Sequence, residues 1–204
     1  LFAAAADSSI RAAFQVNLQT GPGVPQNPAH RRADVDRESA LQRLPSNLAA
    51  LPASILQRLA LENDERIYTI EDVLAVCRDF DLPAVFDIFH HELNPPPHGD
   101  TQYWLDRAGE TWNSRSGRQK IHYSQQLAGG KPGMHSLAIA MHPFMQLHRL
   151  LEESALDVML EVNDKNLSVI NCVKLEPGAP APAISRHVPR PCLTLWCLQW
   201  VGST

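Results

Sequence analysis

At 204 residues, 44% hydrophobic and 20% charged, the chain is long enough to bury one sizeable core. No apolar run approaches the ~20 residues of a membrane-spanning helix, so the composition points to a soluble, cytoplasmic protein with no membrane partner. A formal net charge of -4 argues against a wholesale basic nucleic-acid surface, although a bound metal cluster can supply positive charge where a phosphate must sit.

The start, LFAAAADSSIR, is small and apolar but has neither a basic n-region nor an initiating Met, which favours a truncated start over a signal peptide. GPGVPQNPAHRR is loop-like, and residues 1–36 are expected to be irregular. A helix around 37–50, interrupted at Pro45, opens a domain expected to run over 37–176. The run LALEN reads as a short buried strand ending on Glu62. Thr69 and Asp72 then form a capping-box-like start, and Ile70, Val73, Leu74, Cys77 and Phe80 recur at the spacing of a helix over 70–80. Pro83 precedes a second strand, 84–89, within VFDIFHHELNP, which delivers Asp87, His90 and His91 at its C-terminal end.

A helix with Tyr103, Trp104 and Trp112 is expected near 101–114, and a third strand at 119–123 carries Lys120 and His122 in QKIHYS. Gly129, Gly130, Pro132 and Gly133 mark a long loop. Phe144, Leu147, Leu150, Leu151 and Leu156 predict a helix, DVMLEV predicts a fourth strand at 157–162 with Glu161, and a last helix covers 164–174. From Pro177 the chain is Pro-rich, and 177–204 is expected to be an irregular tail. Cys77 and Cys172 fall within predicted helices and no CxxC pair occurs among the four cysteines, which favours a reducing compartment.

Consecutive strand-helix units with strands too apolar to be half exposed imply an α/β fold, a parallel sheet covered by helices. A TIM barrel gathers functional groups at the C-terminal ends of its strands, as here, but a closed barrel needs eight units and this chain shows four. The expected fold is therefore a partial TIM barrel. Such a fragment leaves unpaired sheet edges and is expected to self-associate.

Each candidate residue also has a plain structural reading. An acidic residue at a strand end, such as Glu62, is often a helix cap or loop anchor. Asp87 and His90 are a stronger pair, because alternation along an extended strand end brings a carboxylate and an imidazole to one centre. His91 then points elsewhere. Lys120 and His122 lie two apart on a strand and face the same side, an odd placement for packing alone. His135 lies in GKPGMHS, where a loop would hang over a barrel mouth, whereas His98, His142, His148 and His187 read as surface or helix-packing residues. Carboxylate and imidazole ligands without thiolate favour divalent ions such as Mn²⁺ or Zn²⁺. Glu62, Asp87, His122 and Glu161 are expected to converge on one site, and more than four ligands suggests more than one ion. Such clusters suit phosphodiester hydrolysis, because they activate water and stabilise the leaving oxygen, with sugar isomerisation the next reading.

LENDERIYT, VFDIFHHELNP, KIHYS, GKPGMHS and DVMLEVNDKNLS, in this order and spacing, resemble the second half of the UV damage endonucleases, metal-dependent barrels that nick DNA beside a lesion. The resemblance runs from about Ala40 to about Cys172. It implies that Glu62, Asp87, His90, His122, His135 and Glu161 bind a cluster of two or three ions, typically Mn²⁺, with Zn²⁺ or Mg²⁺ as alternatives. It further implies that Lys120 is carboxylated within the metal site, that Lys120, His122 and Glu161 are catalytic, and that the substrate is damaged double-stranded DNA, cut 5′ to the lesion in excision repair.

The chain departs from the family at Gln125, where a serine is usual, at Leu137 and Ala138, which replace an acidic and an aromatic residue, and at Asn163, which replaces a lysine. The family's early strands, with further metal-binding histidines and the residues that probe the damaged bases, have no visible counterpart. His30 lies near one of those histidines but lacks the apolar strand and Gly-rich turn around it. Impaired activity is expected on these grounds. The alternatives are another xylose isomerase-like barrel enzyme, acting on abasic sites or sugars, or a non-catalytic half-barrel.

Overall fold

The computed structural model describes residues 2–5, 31–113, 116–151, 154–164, 166–174 and 194–197. The chain divides into two compact units, Leu1–Gly117 and Arg118–Thr204.

The first unit contains β1 (Phe2–Ala5), α1 (Arg31–Ala49), α2 (Ala53–Leu56), β2 (Leu59–Glu62), α3 (Ile70–Phe80), β3 (Ala84–Asp87), α4 (Ile88–Leu93) and α5 (Thr101–Gly109). β2 runs parallel to β3, with Leu61 opposite Ala84 and Glu62 opposite Val85, and antiparallel to β1 on its other side. Every residue of β2 and β3 is buried, as the apolar runs require. α3 follows its predicted bounds. Thr69 and Asp72 form a reciprocal capping box, Asp81 ends the helix in the left-handed region, and Ile70, Val73, Leu74, Val76 and Cys77 face the core. Arg37 of α1 reaches both carboxylate oxygens of Asp72 and the carbonyl of Ile67, tying α1 to the start of α3.

The second unit contains β4 (Gln119–Tyr123), α6 (Met141–Leu151), β5 (Leu156–Leu160), α7 (Asn166–Val173) and β6 (Thr194–Cys197). β5 is parallel to β4 on one side, with Lys120 opposite Asp157 and His122 opposite Met159, and parallel to β6 on the other. Phe144, Leu147 and Leu151 are the buried face of α6.

Several elements differ from the sequence expectation, each for a local or a tertiary reason. The strand expected over 84–89 stops at Asp87, and the chain turns into α4 because the Asp87 side chain accepts from His90 N and caps the helix. α1 begins at Arg31 and continues through Pro45, where burial of Leu44 and Leu48 on either side offsets the missing N–H. α5 ends at Gly109 rather than near 114. Beyond it the Thr111 hydroxyl accepts from Ala84 N and the Trp112 indole donates to Ala84 O, so these side chains hold the start of β3. Leu156 opens β5 instead of extending α6. It is buried in either arrangement, so periodicity alone could not choose. Two short strands, β1 and β6, lie in terminal segments expected to be irregular, because their ladders are made with distant partners.

Among the described residues no helix is long and apolar enough to cross a membrane. Cys77 and Cys172 are buried free thiols whose burial pushes both pKa values up to about 12.

Candidate metal centre

In the first unit, three of the expected ligands meet at the C-terminal ends of β2 and β3. Glu62, Asp87 and His90 each offer a ligand atom within 4.8 Å of the others. All three are buried, and Asp87 is completely so. His90 Nδ1 lies 3.4 Å from Asp87 Oδ2 and 3.9 Å from Glu62 Oε1, and it donates to the Asn63 carbonyl at 3.0 Å. The pairing of Asp87 with His90 was expected from alternation along a strand. It arises instead from the first turn of α4, where a cap and the residue three places on share one side.

The part played by Asn63 was not foreseen. β2 and β3 pair only as far as Glu62 opposite Val85, so the backbone of Asp87 lies beyond the ladder. The fully buried Asn63 amide continues the pairing by donating to Asp87 O and accepting from Asp87 N, both at 2.9 Å. Asp64 then accepts from the backbone of Arg66 and closes the turn through a bond from its own N–H to Tyr68 O. The available signal was the position of Asn63, a polar residue directly after a strand-end glutamate.

In the second unit, His122 and His135 both approach Glu161. His122 Nδ1 is 3.2 Å from Glu161 Oε1, and His135 Nδ1 is 3.7 Å from Oε2 and 3.2 Å from the Glu161 carbonyl. Glu161 follows the last residue of β5, and its backbone is held by a bond to Tyr123 O and by the Ser124 hydroxyl, which donates to its carbonyl at 2.8 Å. Lys120, on the same side of β4 as His122, has its ammonium 3.6 Å from Asp157 Oδ2 and 3.4 Å from the Arg118 carbonyl. Asp157 was not singled out from the sequence, although it sits in DVMLEV two alternations before Glu161.

The remaining histidines separate. His91 is buried edge-on against Phe86, and desolvation lowers its pKa below the ordinary value. His98 stands 3.7 Å from Glu71, His142 is exposed, and the His148 ring lies tilted against Phe144 with centroids 6.4 Å apart. His30 and His187 lie outside the described residues.

The donor chemistry fits a divalent cation. Asp87 Oδ2 is buried and accepts no hydrogen bond among the described residues. A buried carboxylate oxygen in that position is costly without a counter-charge. Two carboxylates and an imidazole also match the ligand preferences of Mn²⁺, Zn²⁺ or Mg²⁺ better than those of soft ions.

Comparison with known proteins gives a consistent family. A family model described as UV-endonuclease UvdE matches residues 32–180. A UV DNA damage endonuclease of Clostridium perfringens (strain 13 / Type A) is 34% identical over 143 residues, which cover 68% of this chain and 34% of that protein. A putative UV-damage endonuclease of Acanthamoeba polyphaga mimivirus is 38% identical over 137 residues, covering 66% and 41% respectively. The crystal structure of SacUVDE matches with a TM-score of 0.63 at 32% identity, over 68% of this chain and 46% of that one. The chain spans less than half the length of these relatives. Its fold class is α/β, part of a TIM barrel.

Proposed function

This chain belongs to the UV-endonuclease UvdE family, and on that premise we propose that it carries the metal ligands and catalytic groups of an endonuclease that hydrolyses the phosphodiester 5′ to a lesion in damaged double-stranded DNA. The setting would be excision repair in the cytoplasm, with residues 37–176 as the working domain. The reading rests on one geometric fact: Glu62, Asp87 and His90 bring ligand atoms within 4.8 Å of one another around a buried carboxylate oxygen that accepts no hydrogen bond among the described residues.

Glu62, Asp87 and His90 would hold a divalent ion, and His122, His135 and Glu161 are the candidate ligands of the second unit, with Mn²⁺ the first candidate and Zn²⁺ or Mg²⁺ the alternatives. Such ions supply Lewis acidity toward water and the scissile phosphate. The protein's own work is orientation. Glu161 holds the rings of His122 and His135 through their Nδ1 atoms, which fixes the direction of each imidazole. Lys120, His122 and Glu161 are the catalytic set. The carboxylated form of Lys120 implied by the resemblance would put a second negative charge beside Asp157, which calls for a cation nearby.

The test is Mn²⁺ titration calorimetry on the purified chain, together with nicking of UV-irradiated and unirradiated duplex. Mn²⁺ binding and weak, lesion-dependent nicking are expected, and His122→Ala should cut cleavage by about 10²-fold or more while leaving the fold intact. A chain that neither binds Mn²⁺ nor nicks irradiated DNA would overturn the reading and leave a non-catalytic barrel segment. Among the described residues β1 and β6 are each paired on one side only, and such edges should also drive self-association. A monodisperse monomer in sedimentation velocity would count against that.

A further inference from the structure

Acidic and basic residues are segregated along this chain. Residues 62–110 hold 12 of the 22 acidic side chains and only three basic ones, Arg66, Arg78 and Arg107. From Thr111 to Leu151 there is no Asp or Glu beside five basic residues, Arg115, Arg118, Lys120, Lys131 and Arg149, of which Arg118 and Lys120 are already partnered by Asp157 at 3.6 Å. A chain of net charge -4 thus contains one long segment suited to a polyanion.

Within that segment, the loop between β4 and α6 leaves the strand end that carries His122 and brings in His135. It is tightly built. Leu127 N donates to Met134 O and Ser136 N to Gln125 O, both at 2.7 Å, and Gln126 pairs with His135 in an isolated antiparallel bridge. The Gln126 side chain spans the loop, donating to Lys131 O at 2.8 Å and accepting from Gly133 N at 3.0 Å. Gln125, which stands where the family usually has serine, joins the two ends by accepting from Ala140 N and donating to Ala140 O. Gly129 and Gly133 sit at φ of 73° and 86°, a region open to glycine.

This ordered loop presents large apolar side chains to water, with Met134 45% exposed and Leu137 60% exposed. Lys131 is exposed, its backbone N–H donates to the Met134 sulfur at 3.3 Å, and it makes no ion pair among the described residues. A preformed loop that pairs a lysine with apolar wedges, in an acid-free segment and next to a candidate ligand, matches the chemistry of minor-groove contact. An acidic side chain at position 137 would oppose a phosphate, and this chain has leucine there.

We propose that the β4–α6 loop is a duplex-DNA contact element, in which Lys131 pairs with a backbone phosphate while Met134 and Leu137 press against the sugar edges of the minor groove. The proposal rests on the endonuclease reading and assigns its substrate a docking surface around the candidate ligand His135. Binding of the full 204-residue chain to a fluorescently labelled, UV-irradiated duplex, followed by anisotropy in Mn²⁺ across a salt series, tests it.

Lys131→Gln should lower the slope of log K against log salt by about 0.9, the loss of one phosphate contact, and Lys131→Arg should retain it. Met134→Asp and Leu137→Asp should weaken binding by roughly ten-fold with Mn²⁺ titration and thermal stability unchanged. If the parent chain binds DNA and all these variants bind with its affinity and slope, this assignment falls while the endonuclease reading stands. If the parent chain binds no DNA, both fall. If the variants alter sedimentation but not DNA affinity, the loop is a self-association surface and the assignment is overturned.

Discussion

Replacing Asn63 by alanine would test how Asp87 is held in place. The Asn63 amide makes two buried hydrogen bonds of 2.9 Å to the backbone of Asp87, one in each direction. Alanine leaves Asp87 N–H and C=O without these partners beyond the end of the β2–β3 ladder. An unsatisfied buried group costs about 1–3 kcal/mol, so with partial relaxation the pair should cost about 2–4 kcal/mol. That is a large part of the roughly 5–15 kcal/mol of a typical domain, and at about 2–4 °C per kcal/mol it lowers Tm by about 4–16 °C. The same change loosens Asp87 directly and His90 through it, since Asp87 Oδ1 accepts from His90 N and caps α4, while the backbone carbonyl of residue 63 that accepts from His90 Nδ1 is kept. Mn²⁺ affinity should therefore fall roughly 10–100-fold, the usual effect of losing a partner that orients a ligand. Scanning calorimetry of the metal-free chain, followed by Mn²⁺ titration, reads both effects. Asn63→Asp should be no milder, because it keeps an acceptor for Asp87 N but turns a negative oxygen toward Asp87 O. An alanine variant with unchanged Tm and unchanged Mn²⁺ affinity would refute the clamp.

Asp87→Asn should behave in the opposite way without metal. It keeps the oxygen that caps His90 N, removes one of two neighbouring buried carboxylates, and so should hold or raise metal-free stability. The parent chain should gain about 2.7 kcal/mol at Mn²⁺ one hundred times its Kd, and the variant should lose that gain; equal gains would remove Asp87 from the ligand set. His91 supplies a pH test in metal-free buffer. Burial lowers its pKa below 6.5, so on acidification the unfolded chain takes up a proton first. Stability should fall as pH drops through 6.5 toward the lower folded-state value and then level off, and His91→Phe should flatten that limb in urea unfolding from pH 7.5 to 5. Superimposable limbs would contradict the assignment.

Much of this molecule is written in local chemistry. Thr69 and Asp72 start α3, and the spacing of Ile70, Val73, Leu74 and Cys77 orients it, because capping and helical periodicity act over a few residues. Glu62 and Asp87 stand out because each ends an apolar run, where a buried strand must give way to polar groups. The ordered motifs around them were enough to identify the family that the comparisons establish.

The three-dimensional partners decided what local chemistry left open. Residues 88–93 could extend a strand or form a helix, and the bond from His90 N to Asp87 Oδ1 selects the helix that joins the two ligands. β1 and β6 become strands only through ladders to β2 and β5, which no composition of the termini announces. Asn63 and Asp157 look like ordinary polar residues until Asp87 and Lys120, on other strands, come opposite them. Burial has a period that can be read along the chain, whereas a hydrogen-bond or charge partner is chosen by whatever segment packs alongside, and that choice exists only in the folded molecule.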